Sequence, residues 1–120
     1  MSDILSATFQ QGATFLTANT VAAGLAHVHA PPQRGSRFAL AGGALAANAF
    51  AFNGSIWSGG RDAHLYYLSM ATASGISAGI FSLHAWRATT ATGAAMAGGW
   101  AAVCACLAGP LYWNAYRTAQ

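Results

Sequence analysis

Charged side chains divide this chain into four long uncharged stretches, residues 4–33, 38–60, 63–86 and 88–116. Each exceeds the roughly 20 mainly apolar residues that a helix needs to cross the hydrocarbon of a bilayer. Toward their boundaries stand residues that end helices: Pro31-Pro32 after the first span, Asn53-Gly54 and Gly59-Gly60 after the second. Gly109-Pro110 falls late in the fourth. The pattern predicts an all-α chain with a single domain over residues 1–120. The expected architecture is an integral membrane bundle of four transmembrane helices, at about 6–29, 37–57, 64–87 and 92–116. The first is the most polar, since it carries Gln10, Gln11, Asn19 and His27.

Within each stretch a small residue recurs at every fourth position. The rows are Thr14, Ala18, Ala22, Ala26 and Ala30, then Ala39, Gly43, Ala47 and Ala51. The third row is Ala71, Gly75 and Gly79, and the fourth Gly93, Ala97, Ala101, Ala105 and Gly109. Side chains four apart share a helix face, and small ones let a neighbouring backbone come close. Rows of this kind predict tight helix packing, within the chain or against partners. Gly75 and Gly79, inside the segment SGISAG, are the most specific pair.

Composition sharpens the environment. Only 6% of residues are charged, against roughly 25% in ordinary soluble domains. Lys and Glu are absent, and five arginines and two aspartates supply all the formal charge. The arginines are scattered, so no stripe follows a phosphate backbone and nucleic acid is not an expected partner. Arg34, Arg37 and Arg87 fall at one end of the expected bundle, and Arg61 and Arg117 at the other with Asp3 and Asp62. The positive-inside bias then places the first and third loops on the matrix, cytoplasmic or stromal side. Trp57 and Trp113 near one end and Trp86 near the other suit interfacial anchoring, because an indole is apolar with one N–H that seeks water. Trp100 falls mid-helix. The amino terminus has neither a basic signal region nor presequence arginines, so targeting information is expected to be internal.

Candidate chemistry is sparse. Cys104 and Cys106 project about 200° apart on a helix and cannot bridge within it. His27 and His84 approach the same end of the bundle from different helices, where they could ligate a haem iron or a chlorophyll magnesium. No nucleophile–base pair, carboxylate pair, metal cluster or phosphate loop can be assembled, so no enzymatic activity is expected. Asn19 and Asn48 are the strongly polar groups deep in the expected spans, placed to bond across helices.

Three segments, RGSRFALAGGALAAN, YLSMATASGISAGI and TGAAMAGG, make the stretch from Gly35 to Val103 resemble the transmembrane-fourteen family. That family includes plastid fatty-acid-export proteins and small mitochondrial membrane proteins. The resemblance implies a four-helix organelle membrane protein that moves lipids or porphyrin-like molecules. It transfers no functional residue, and the longer, more polar first span and the His/Arg cluster depart from it. The residues themselves favour a non-catalytic accessory subunit of an energy-transducing membrane complex: respiratory chain, ATP synthase or photosystem. Expected partners are other membrane subunits and structural lipids, with the mitochondrial inner membrane as the first location and thylakoid or bacterial inner membrane as alternatives. An autonomous lipid or small-metabolite transporter is the alternative function, and a haem- or chlorophyll-binding subunit the third.

Overall fold

The computed structural model describes the backbone of residues 2–29, 34–57 and 63–119, and the side-chain surroundings of 11–29, 38–54 and 63–119. The described chain is all-helical: α1 (Ser2–Val28), α2 (Arg34–Trp57), α3 (Ala63–Trp86) and α4 (Ala91–Ala119). The helices outrun the uncharged stretches at the two ends, because a charge does not itself stop a helix. Arg117 in the last turn of α4 even suits the negative end of the helix dipole. α4 also continues through Pro110, which therefore does not act as a breaker. Nor does Asn53-Gly54 end α2, which continues to Trp57, while the Pro31-Pro32 and Gly59-Gly60 breakers lie outside the described residues.

Local signals set the turn between α3 and α4. Arg87 N–H and Ala88 N–H donate to the Leu83 and Ala85 carbonyls and close off α3. Thr90 then caps α4, its Oγ1 accepting from Gly93 N–H at 3.0 Å. α2 packs between α1 and α3, and α4 lies along α3 and returns to α1, while the backbones of α1 and α3 stand apart across the diagonal. The result is a four-cornered bundle measuring 46 × 23 × 20 Å.

Buried positions recur at steps of three, four or seven. In α2 they are Leu40, Ala44, Ala47, Ala51 and Gly54, in α1 Gly12, Phe15, Asn19 and Ala26, and in α4 Gly93, Ala97, Ala101 and Cys104. An average step near 3.5 keeps one seam facing the bundle axis. The strict four-residue rows drift by about 40° per step, so they serve the core over only part of their length. Ala71, Gly93, Ala97 and Ala101 are buried, and Gly75 is half-buried, but Gly79, Ala105 and Gly109 are exposed. Helix contacts are close where Gly permits. A Cβ on Gly43 would overlap Ile80 of α3, and one on Gly54 would lie 2.9 Å from Ser69 Cβ.

By length and apolarity, α4 is the one described helix that qualifies as a membrane span, and the apolar run Phe38–Gly54 in α2 is shorter. The physical reason is composition: residues 93–113 of α4 contain no Ser, Thr, Asn, Gln or His, whereas such residues interrupt α1, α2 and α3.

Candidate functional site

Asn19 is fully buried and joins all four helices. Its Nδ2 donates to Ala44 O at 3.3 Å and to Asn48 Oδ1 at 3.0 Å, both on α2. Its Oδ1 accepts from Ser77 Oγ of α3 at 2.9 Å and from Trp100 Nε1 of α4 at 2.8 Å. The amide orientation follows from chemistry: an indole N–H can only donate and a backbone carbonyl can only accept. That fixes Asn48 as well, whose Nδ2 donates to Thr20 Oγ1 at 3.0 Å. All four hydrogen-bonding positions of the Asn19 side chain are thus filled, the condition under which a buried amide is stabilising rather than costly.

Two further ties lie toward the ends. His84, buried in α3, donates from Nε2 to the Ala26 carbonyl of α1 at 3.2 Å. At the opposite end His64 Nδ1 donates to the Ala115 carbonyl of α4 at 2.7 Å. Tyr66 O–H donates to Gln11 Oε1 and links α3 to α1 near that same end.

Beside the Asn19 hub the seam between α1 and α4 opens. Near its closed end Gly93 brings α4 against α1, where a Cβ would stand 3.2 Å from the His29 carbonyl oxygen. From Trp100 onward a lateral cleft of about 750 Å³ lies between the two helices, floored by α3. Phe15, Tyr66 and Trp100 supply aromatic walls, with Phe15 and Trp100 in tilted contact at 6.1 Å between centroids. In the floor lies Ser74, fully buried, whose Oγ has no hydrogen-bond partner.

The residues singled out from sequence lie in differing surroundings. His27 is exposed and lines a shallow groove between α1 and α2. With Nε2 of His84 donating, only its Nδ1 keeps a free lone pair. Trp86 is 88% exposed with Arg87 exposed beside it, and exposed Trp113 stacks on Tyr116 at 5.8 Å. The side chains of Arg34, Arg37 and Trp57 lie outside the described residues. Cys104 is buried and Cys106 exposed, in keeping with their angular separation. Among the described residues no group of three or more His, Cys, Asp or Glu gathers as a metal set. The inter-helix role expected of Asn19 and Asn48 is observed. The sequence carried no signal for Ser74, or for Trp100 as a partner of Asn19.

No protein-family model matches the chain, and neither the curated proteins nor the solved structures contain a match. The likeness of residues 35–103 to transmembrane-fourteen proteins therefore rests on the quoted segments alone.

Proposed function

We propose that this chain is a membrane-embedded four-helix subunit with a packing role and no catalytic centre, an accessory component of a larger energy-transducing complex. The observation that carries this reading is a set of large apolar side chains turned outward around a core that also holds polar ones. Asn19, Ser69, Ser74, Ser77 and His84 are buried, while Phe38, Leu45, Val28 and Trp86 are 72–88% exposed. In water that arrangement would be unfavourable on both counts. In lipid it is required, since polar groups must be satisfied inside the protein and apolar side chains have no reason to hide. Outward-lying hydroxyls obey the same rule: Thr17, Thr72 and Thr118 donate to carbonyls four residues back on their own helices.

Helices this rich in Ala and Gly insert only marginally alone, and protein neighbours would stabilise them. The exposed small positions on α3 and α4, among them Gly79 and Gly109, offer such neighbours close approach. The reading keeps the mitochondrial inner membrane as first location, with the first and third loops on the matrix side. The test is alkaline carbonate extraction followed by a native gel in mild detergent. Retention in the membrane pellet and migration within a large assembly are expected. Release by carbonate would overturn the membrane assignment, and migration as a small species would overturn the accessory role. The second reading, an autonomous transporter of lipids or small metabolites, draws support from the cleft between α1 and α4. Movement of a lipophile by the purified chain in liposomes would favour it.

A further inference from the structure

We propose that the cleft between α1 and α4 binds a quinone-type lipophile, an apolar ring bearing a carbonyl acceptor, with Ser74 Oγ–H as the donor to that carbonyl. The proposal rests on the membrane reading above and adds a ligand to it.

Size selects the class of occupant. The cleft follows α4 from Trp100 to Leu111, about 16 Å of helix. Its volume of about 750 Å³ then corresponds to a mean cross-section of about 45 Å². A helix with side chains, about 10 Å across, needs about 80 Å², so a partner's transmembrane helix does not fit. The volume does lie within the range of small-molecule sites.

Polarity selects the chemistry. The walls are apolar and aromatic, and the group in the floor without a partner is a hydroxyl, a donor that an acceptor in the ligand would satisfy. Ser74 stands at the middle of α3, eleven residues from Ala63 and twelve from Trp86. Ester carbonyls of bilayer lipids lie near the edge of the hydrocarbon, about 15 Å from its midplane. Such a carbonyl would have to leave its own depth to reach Ser74. A ring carbonyl on an apolar body reaches that depth freely, and Phe15, Tyr66 and Trp100 give the ring faces to lie against. Gln11, at the outer end, accepts from Tyr66 through Oε1 and keeps its amide N–H groups free for a second polar substituent.

Trp100 provides the readout. In the Trp57→Phe/Trp86→Phe/Trp113→Phe chain, purified in mild detergent, all indole fluorescence comes from the cleft. A decyl-tailed benzoquinone should quench it saturably. Ser74→Ala should raise the midpoint about three- to tenfold, the weight of one hydrogen bond, and Ala18→Phe, which fills the cleft, should abolish saturation. Far-UV dichroism checks that both variants fold. An unchanged midpoint in Ser74→Ala, or equal competition by decylbenzene, which lacks the carbonyl, would overturn the proposal. So would saturable quenching by a phospholipid with brominated acyl chains that the quinone fails to displace. The two readings fail separately: carbonate release defeats the membrane assignment, whereas a carbonate-resistant chain without saturable quenching defeats only the quinone site.

Discussion

Among single residues, Asn19 stands apart because its four bonds reach three other helices. Inter-helix hydrogen bonds inside a bilayer average about 0.6 kcal/mol, with a maximum near 1.7. Removing Asn19 also strands the Trp100 N–H, the Ser77 hydroxyl and the Asn48 carbonyl, each of which carries its own desolvation cost. Asn19→Ala should therefore destabilise the bundle by about 2–4 kcal/mol, against about 1 kcal/mol for Asn48→Ala, which loses the Thr20 bond and one Asn19 bond. Denaturation in mixed micelles, followed by Trp fluorescence, would check the order. Equal costs for the two substitutions would show that the hub is not a concentrated source of stability.

Between elements, the closest approach with a named cause is α2 on α3. Gly43 faces Ile80 so closely that a methyl cannot enter without moving it, while adjacent Gly42 has nothing within 4 Å of its Cβ position. Gly43→Ala should cost about 1–3 kcal/mol through overpacking. Gly42→Ala should be neutral or stabilising by about 0.5–1 kcal/mol, because Ala loses less backbone entropy in a helix. The pair carries the same chemical change one residue apart, so thermal unfolding of both isolates packing from propensity. A matched loss at both positions would mean that α2 does not sit on α3 through Gly43. At Pro110 of α4 the helix persists without that residue's N–H, which leaves the Cys106 carbonyl without its usual donor four residues on.

For the whole molecule, many large apolar side chains lie outward while the core admits a few polar ones, and on the membrane reading lipid is the matching solvent. Outward glycines then become informative. Gly79 and Gly109 touch nothing within 4 Å at their Cβ positions, so Gly79→Leu and Gly109→Leu should leave the melting temperature of the isolated chain unchanged or raise it slightly. On the accessory-subunit reading the same substitutions should weaken incorporation into the native assembly, seen as a smaller share of the chain in the high-mass band. A chain that assembles as well as before would remove these faces from the partner interface.

Reading the residues in order was enough to predict four helices, because charges occur only between and at the ends of long uncharged runs. Two asparagines in those runs were also enough to predict bonding across helices, since an amide cannot be left unpaired away from water. Which faces turn inward was not legible. Ala and Gly populate every side of these helices, so rows at spacing four and the true seam at spacing near 3.5 look alike in composition, and Gly79 and Gly109 could not be told from Gly93. Partner choice was equally hidden: Trp100 lies 81 positions from Asn19 and Ser77 lies 58. The cleft belongs entirely to tertiary structure. Its walls come from α1 and α4 and its floor from α3, residues far apart in the chain that only the packing of the helices brings together.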